Sequence, residues 1–386
     1  MRMLVTSFPG RGHLNPVLPL ALAAHREGHD VLVATGEDQC EHAGSYGLST
    51  ASVGPGLDDL ITLARDQHGA SWGDHLFTDT WVREAARGLT SVAERWVPEI
   101  VVSEEEEYAG LLVGTMIGVP TVTHSWPCPC RSSSRRQEAL DRLGPIWDEV
   151  APGREVRQTG EIYLDACPPP LQTSDIADIF GVLPIRATSL PEAPTGVHDD
   201  LGEVARPAAY LTLGTVPVFS TPAALRQCVE AVSPLVASLV VTTGPNDVAS
   251  LGELPGHVRA IRYLAQSRIL PLVDLVVSHG GAGTTLGAFE AGLPHLMLPD
   301  DSQSQEGSAA AVEKLGAGLV IPSGLRDVAT IRQAAERLLT DPSHRVAAEA
   351  ARHTLATLPT PAEVLPALVE LASGPRPESG VPHPAN

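Results

Sequence analysis

The sequence predicts an α/β protein with two Rossmann-like domains, and two observations lead to that fold class. Short β-rich runs alternate with longer helical stretches, which is the pattern of parallel strands joined by crossover helices. The chain has 386 residues, which is too long for one ordinary core and suits two domains of roughly 150 to 200 residues each. We therefore expect residues 1–190 and residues 208–358 to form the two domains.

The first domain is predicted from a βαβ unit at the start of the chain, followed by a strand and a helix near residue 100. Pro16 is expected in the first turn of the first helix, where proline is tolerated. The predicted strands are residues 3–8, 30–35 and 100–102, and the predicted helices are residues 15–25 and 109–117.

The second domain follows residues 191–207, which are rich in Pro, Gly, Asp and Glu and which we interpret as a linker. Residues 359–373 are predicted to form a terminal apolar helix, and the Pro-rich residues 374–386 a disordered tail. The predicted strands of this domain are residues 210–213, 239–243, 258–263, 275–278 and 295–298.

The charge balance excludes two classes of partner. The chain has 26 Lys and Arg against 46 Asp and Glu, so its formal net charge is −20. A surface this acidic repels nucleic-acid phosphates and anionic lipid headgroups. No apolar run approaches the roughly 20 residues that span a bilayer, and the first residues turn polar too early for a signal peptide. We expect a cytoplasmic protein that binds neither nucleic acid nor membranes.

Five cysteines occur without a CxxC pair, at Cys40, Cys128, Cys130, Cys167 and Cys228. An odd number of unpaired cysteines suits reduced thiols in a cytosolic protein. A metal half-site at Cys128 and Cys130 is the alternative, but zinc sites usually need two suitably spaced pairs. We expect structural thiols, no metal and no cofactor.

A glycine-rich turn in residues 274–299 is the strongest candidate for a ligand site. Its glycines let the backbone approach a ligand closely, and Thr284 and Thr285 open a helix whose free N–H groups favour an anion. His279 lies at the carboxyl end of the preceding strand, where open α/β sheets bind ligands. A pyrophosphate could be held there without metal. The alternative is a tight turn whose glycines serve packing only.

His13 and Glu104 are the candidate catalytic pair. His13 follows the first strand in the sequence Gly-Arg-Gly-His, so its ring should project into the crevice and accept a proton there. A carboxylate would orient the imidazole and stabilise its charged form. A surface or capping role is the alternative for His13. Glu104 is followed by three more glutamates, Glu105, Glu106 and Glu107, and such a run is usually a solvated face.

These segments resemble glycosyltransferase family 1, the GT-B group that includes bacterial antibiotic and macrolide glycosyltransferases. His13 matches the family's GxGHxxP base position, and Glu104 matches the acid that closes a PDLVVxD or PDLVVxE strand. The resemblance implies two Rossmann-like domains facing a central cleft, with the C-terminal helix packing back on the N-terminal domain. It also implies inverting, metal-independent transfer of a sugar from a nucleoside diphosphate, which is a substrate and not a cofactor.

The same resemblance implies a set of donor-binding residues. Tyr263 takes the position that packs on the base, although an ordinary core aromatic remains the alternative, and Thr215 could equally be a helix cap. The implied donor set is Gly12, Gly214, Thr215, Tyr263, Leu264, Gln266, His279, Gly281, Gly283, Thr284, Ser304 and Gln305.

One departure from the family pattern concerns the sugar. Family members usually carry Asp-Gln where this chain has Ser304 and Gln305, so the carboxylate that grips a donor hydroxyl is missing. Asp300 and Asp301 lie close in sequence, but a solvated loop fits their spacing better. A buried carboxylate facing a position without a hydroxyl would cost on the order of 1 to 3 kcal/mol. We therefore expect a dTDP-deoxysugar, with UDP as the alternative nucleotide.

The aromatic residues indicate where an acceptor binds. All five tryptophans lie within the first 150 residues, in the domain that binds acceptors in the family. Large aromatic surfaces suit an apolar aglycone such as a polyketide. The wall candidates are Trp72, Phe77, Trp81 and Trp126, and the alternative is that most of these rings pack in the core.

The expected function is transfer of a sugar to a small apolar acceptor, with a homodimer as the candidate assembly. A GT-B sugar-nucleotide epimerase is the alternative within enzymes. A non-catalytic activator that binds the nucleotide sugar is the alternative of another class, but it has no need of the His13 and Glu104 pair. A nicotinamide oxidoreductase is disfavoured because the first glycine-rich turn lacks GxGxxG.

Overall fold

The computed structural model describes residues 1–191, 201–214, 220–300 and 303–374, without the side chains of Gln303, Ser304 and Glu306. Thr215, Asp301, residues 192–200 of the expected linker and residues 375–386 of the expected tail lie outside the described residues.

The first half of the chain forms a seven-stranded sheet in which every strand pair is parallel, in the order β3-β2-β1-β4-β5-β6-β7. The predicted βαβ unit supplies two adjacent strands of this sheet, β2 and β1. The strands are β1 (Arg2–Thr6), β2 (Asp30–Gly36), β3 (Ser49–Gly54), β4 (Ile100–Glu104), β5 (Thr121–His124), β6 (Ile162–Asp165) and β7 (Val182–Pro184).

Helices cover both faces of this sheet. They are α1 (Arg11–Arg26), α2 (Glu37–Gly44), α3 (Leu57–His68), α4 (Trp72–His75), α5 (Trp81–Trp96), α6 (Tyr108–Ile117) and α7 (Ser133–Val150). A π-helix (Leu76–Thr80) joins α4 to α5, and short 3-10 helices occur at Gly69–Ser71 and Ser174–Asp178.

The second half forms a six-stranded parallel sheet in the order β10-β9-β8-β11-β12-β13. Its strands are β8 (Ala208–Thr212), β9 (Ser238–Thr242), β10 (Val258–Ile261), β11 (Leu275–Ser278), β12 (His295–Met297) and β13 (Gly318–Val320). Its helices are α8 (Pro222–Val232), α9 (Gln266–Ile269), α10 (Ala282–Glu290), α11 (Gln303–Leu315), α12 (Val328–Thr340), α13 (Pro342–Ala356) and α14 (Pro361–Ser373), with 3-10 helices at Ser233–Leu235, Val248–Leu251, Leu270–Leu272 and Ser323–Leu325.

Helix α1 begins four residues earlier than the sequence predicts, and Pro16 is inside it instead of in its first turn. Proline at an interior position removes one backbone hydrogen bond. The helix continues because its apolar face is buried: Leu14, Val17 and Leu18 are fully covered. The earlier start places His13 in the first helical turn, with the helix capped by the extended Gly10.

The strand register brings the two catalytic candidates together. β1 and β4 are parallel neighbours, and Thr6 lies beside Ser103. Because parallel strands end at the same edge, the loop that leads from β1 into α1 lies next to Glu104, the last residue of β4. β4 is two residues longer than predicted.

The terminal helix α14 packs back on the first domain, as the GT-B resemblance implies. Val364, Leu365 and Leu368 share one hydrophobic cluster with Leu14 and Val17 of α1. Helix α1 also contacts α10 of the second domain, so the two helices that carry candidate site residues are neighbours. Within the described residues, no helix combines the length and apolar character needed to cross a bilayer.

Candidate active site

His13 and Glu104 form a hydrogen-bonded pair. His13 Nδ1 lies 3.1 Å from Glu104 Oε1 and 3.2 Å from Oε2. The carboxylate side chain is 1% exposed, whereas the imidazole is 18% exposed. With Nδ1 directed at the carboxylate, Nε2 is the ring nitrogen left to accept a proton. The pair has the orientation that a general base and its supporting acid require.

Trp126 is a third member of this group. Its indole Nε1 donates a 2.7 Å hydrogen bond to Glu104 Oε2, and its ring meets the imidazole of His13 edge-on, with centroids 4.7 Å apart. The indole therefore fixes the carboxylate that faces His13. The sequence places Trp126 on the acceptor side, but it gives no sign of this contact, because 22 residues separate the partners.

Two phenylalanines complete an aromatic enclosure around the imidazole. Phe77 stacks on His13 with centroids 5.2 Å apart, and Phe8 lies 4.9 Å away in a tilted arrangement. Phe8 and Phe77 also contact each other at 4.5 Å. Phe8 is 2% exposed, so an apolar acceptor that reaches His13 Nε2 would lie against the partly exposed rings of Phe77 and Trp126.

The other three glutamates are not a solvated face, so that interpretation of the run is wrong. Each has its own partner: Tyr163 donates a 2.9 Å hydrogen bond to Glu105, and Glu106 pairs with the partly exposed Arg131. Glu107 caps α6 and accepts hydrogen bonds from Thr6, Trp81 and the backbone of Gly110. Burial raises the pKa of Glu107 to about 7. The structure thus separates Glu104 from its neighbours as the partner of His13.

Trp81 is a core residue, and its assignment to the acceptor wall is wrong. Its side chain is 0% exposed, and its Nε1 donates a 3.0 Å hydrogen bond to Glu107. A Cβ on Gly54 would lie 2.8 Å from its ring, which shows how closely the backbone of β3 packs on it. An acceptor has no access to this indole.

The remaining wall candidates are partly exposed. Phe77 and Trp126 contact His13 as described, whereas Trp72 packs beneath Arg65, whose guanidinium lies 4.9 Å from the ring centroid. Among the ring contacts of the described residues, none joins Trp72 to His13. Phe77 and Trp126 are therefore the two candidates that the structure brings to the catalytic pair.

The glycine-rich turn opens α10 as the sequence predicts for an anion site. Gly281 precedes the helix in an extended conformation, and no side chain caps it. A Cβ built on Gly283 would meet no atom within 4 Å. Among the described residues, no N-cap side chain bonds the first N–H groups of this helix, and the helix dipole favours a negative charge there. Thr284 and Thr285 are buried behind them.

His279 fits between two glycines. A Cβ on Gly214 would lie 2.6 Å from the ring, and one on Gly281 would lie 2.7 Å from it. Gly214 has φ +83°, a conformation that only glycine adopts without strain. Burial lowers the pKa of His279 to about 4, so the ring is neutral near neutral pH and offers hydrogen bonding rather than charge.

The base-binding candidates divide into exposed and buried residues. Tyr263 is 54% exposed, which excludes the core alternative, and the Arg11 guanidinium of the first domain lies 5.5 Å from its ring centroid. Leu264 is buried at 5% exposure, so its backbone is the part available to a ligand. Gln266 Nε2 donates a 2.8 Å hydrogen bond to Thr284 Oγ1, which ties α9 to α10.

The remaining donor candidates are Gln305, Gly12, Ser304 and Thr215. Gln305 is buried, and its Oε1 accepts a 2.8 Å hydrogen bond from the backbone of Asp300. Asp300 itself pairs with Arg326 at 2.8 Å, so its carboxylate is already engaged. Gly12 lies in the first turn of α1 with open space around it, near His13. The side chain of Ser304 is not described, and Thr215 lies outside the described residues.

Comparison with known proteins places this arrangement in a family. The model of the erythromycin biosynthesis protein CIII-like C-terminal domain matches residues 226–371. The chain is 32% identical over 383 residues to the L-demethylnoviosyl transferase of Streptomyces niveus, with 94% of this chain and 96% of that protein covered.

Two solved structures of similar sequence have the same fold. The glycosyltransferase SnogD from Streptomyces nogalater matches with a TM-score of 0.80 and 28% identity, over 96% of this chain and 99% of that one. SsfS6 from Streptomyces sp. SF2575, complexed with thymidine diphosphate, matches with a TM-score of 0.75 and 26% identity, again over 96% and 99%. The fold and site define a GT-B glycosyltransferase. Within that class, the chain belongs to the family of bacterial antibiotic glycosyltransferases.

Proposed function

We propose that this glycosyltransferase transfers a deoxysugar from a dTDP-sugar to an apolar aglycone such as a polyketide, with inversion and without a metal. The observation that carries the proposal is the His13 and Glu104 pair, which lies inside an aromatic enclosure. This pair is at the edge of the first sheet, beside helix α1, and α1 contacts α10. A base for a hydroxyl and a binding surface for an apolar acceptor thus occupy the same place.

The proposed reaction is a single displacement. An acceptor hydroxyl gives its proton to Nε2 of His13, and Glu104 stabilises the resulting imidazolium through Nδ1. The acceptor oxygen forms a bond to the anomeric carbon as the bond to the diphosphate oxygen breaks. The diphosphate leaves with the electron pair from the opposite face, so the configuration at that carbon inverts.

The N-terminus of α10 supports metal-independent departure of the diphosphate. Free N–H groups and the helix dipole stabilise the developing negative charge. His279 adds a neutral hydrogen-bonding ring at the same turn. Tyr263 offers an exposed ring on which the base can stack. The thymidine diphosphate complex of SsfS6 favours dTDP over UDP as the nucleotide.

The proposal of a deoxysugar donor is based on the polar groups near α11. The carboxylate expected from the family pattern is replaced by Ser304, and the neighbouring Asp300 is paired with Arg326. Gln305 is engaged with the loop backbone. A site with few groups for donor hydroxyls discriminates weakly against a sugar that lacks them.

A donor and acceptor panel tests the proposal. The wild-type protein is incubated with dTDP-deoxysugars, dTDP-glucose and UDP-glucose together with a pool of polyketide aglycones, and glycosides are detected by mass. We expect a glycoside with a dTDP-deoxysugar. A clear preference for UDP-glucose would contradict the donor assignment. Donor binding without any transfer would instead support a non-catalytic activator, and nucleotide release without an aglycone would support an epimerase.

A further inference from the structure

A group of metal-ligating side chains lies in the first domain, apart from the catalytic pair. His68 ends α3, His75 ends α4, and Asp79 lies in the π-helix. One ligand atom from each lies within 4.8 Å of the other two, and all three side chains are partly buried. No other such group of three occurs within the part of the chain that the structure describes.

The contact between His68 and Asp79 has the spacing of two ligands on one ion. His68 Nε2 lies 3.2 Å from Asp79 Oδ2, but this buried nitrogen makes no hydrogen bond among the described residues. Two ligands held at about 2.1 Å from a tetrahedral ion are about 3.4 Å apart. The contact is an ion pair when His68 is protonated, and its spacing is also close to that of two ligands sharing one ion.

His75 is the third candidate ligand, and it lies close to Asp79 along the same helical segment. The rings of His68 and His75 are stacked, with centroids 4.2 Å apart and planes at 9°. His75 and Asp79 are four residues apart across a helical segment, which places them on one face. The three ligand atoms lie within 4.8 Å of one another, whereas two ligands on one tetrahedral ion are about 3.4 Å apart. Ion binding therefore requires a movement of about 1 Å and a rotation of one imidazole out of the stack, because the lone pairs of nearly parallel rings do not converge.

The surroundings orient Asp79 and favour a cation. Arg83 Nε donates a 2.6 Å hydrogen bond to Asp79 Oδ1, which leaves Oδ2 for a ligand bond. Arg83 is itself paired with Glu149 at 2.7 Å, so its charge is offset. The net charge of −20 adds a general attraction for cations.

We propose that His68, His75 and Asp79 bind one divalent transition-metal ion of the Zn²⁺ class, with a coordination position left for water. Two imidazole nitrogens and one carboxylate select such an ion over Mg²⁺, which prefers oxygen ligands. Phe77 lies between His75 and Asp79 in the sequence and stacks on His13. A bound ion would therefore hold in place the segment that carries one wall of the proposed acceptor site. The proposal does not depend on the proposed sugar transfer.

Metal binding by the untagged full-length protein tests this site. Chelator-treated protein under reducing conditions is dialysed against ZnCl₂ or MgCl₂, and bound metal is counted. We expect one Zn²⁺ per chain and no Mg²⁺. His75→Ala and Asp79→Asn should each weaken Zn²⁺ binding by at least about tenfold, whereas His25→Ala, on the exposed part of α1, should bind Zn²⁺ as the wild type does.

Two results would overturn the proposal. One is no stoichiometric Zn²⁺ in the wild-type protein. The other is unchanged affinity in the variants, which would place the ion elsewhere, for example at the buried cysteines. Thermal melting of each metal-free variant checks that it is folded. Asp79→Asn preserves the side-chain shape, so it decides the matter if His75→Ala does not fold.

Discussion

The indole of Trp126 and the carboxylate of Glu104 are joined by a 2.7 Å hydrogen bond in a site where that carboxylate is 1% exposed. Glu104 uses the same carboxyl group to face His13 Nδ1. A buried carboxylate is costly unless its oxygens have partners. The indole N–H and the imidazole N–H supply two such partners, which makes Trp126 part of the support for the proposed catalytic pair as well as a candidate wall for the acceptor.

Trp126→Phe should separate these two roles, because phenylalanine keeps a ring beside His13 and removes the N–H. A hydrogen bond to a charged group contributes about 1.5–3 kcal/mol. We expect kcat to fall by about tenfold or more, with the dTDP dissociation constant unchanged. Trp96→Phe is the matched control, since Trp96 lies at the end of α5 and packs on the core. Equal kcat values in the two variants would show that the N–H has no role.

Glu104→Gln tests the charge of the supporting acid. Glutamine fills the same space but cannot stabilise an imidazolium ion, so we expect kcat to fall by at least about a hundredfold. The affinity for dTDP, measured by calorimetry, should stay unchanged. Glu94→Gln, on the exposed face of α5, is the control that should keep kcat. Wild-type kcat in Glu104→Gln would exclude an electrostatic role for this carboxylate.

The two glycines at the start of α10 should respond differently to alanine. Gly281→Ala places a Cβ 2.7 Å from His279 Nε2, and such overpacking costs about 1–3 kcal/mol, so its unfolding midpoint in urea should fall. Gly283→Ala meets no atom within 4 Å and should keep or raise that midpoint.

Gly283→Ala should nevertheless weaken dTDP binding, because its methyl group projects into the space proposed for the diphosphate. Calorimetric titration with dTDP measures this. Thymidine, which has no diphosphate, is the control ligand and should bind both proteins alike. Unchanged dTDP affinity would move the diphosphate away from this helix.

Buried Glu107 should make stability depend on pH. Burial raises its pKa from 4.5 to about 7, so the folded state favours the neutral acid. Its contribution to stability is therefore complete below about pH 4.5 and is lost as the pH rises through about 7. Glu107→Gln removes this titration. Relative to wild type, the variant's unfolding free energy should rise between pH 4.5 and pH 7 and then level off. Parallel curves for the two proteins would contradict the assignment.

Local patterns were sufficient to predict the fold and the contact between His13 and Glu104. Parallel strands joined by helices follow from runs of buried aliphatic residues, and strand β11 (Leu275–Ser278) has the predicted bounds. His13 and Glu104 are 91 residues apart, yet His13 follows β1 and Glu104 ends β4, which are neighbouring strands of the same sheet. Their approach could be predicted because parallel strands end at one edge.

Contacts between distant segments could not be predicted. Four consecutive glutamates indicate a solvated face, but their partners come from distant parts of the sequence. Tyr163 follows its partner Glu105 by 58 residues, and Trp81 precedes its partner Glu107 by 26. The burial of Trp81 depends on the same tertiary contacts, so composition could not distinguish it from Trp126. The group of His68, His75 and Asp79 matches no standard metal spacing, and its stacking is visible only in three dimensions.

The central claim is that His13 is the general base of sugar transfer, and His13→Ala tests it most directly. Once the wild-type donor and acceptor are known, kcat and dTDP affinity are compared for wild type, His13→Ala and His25→Ala. We predict that His13→Ala loses at least about a hundredfold in kcat while it binds dTDP normally, and that His25→Ala behaves like wild type. Wild-type turnover by His13→Ala would contradict the account.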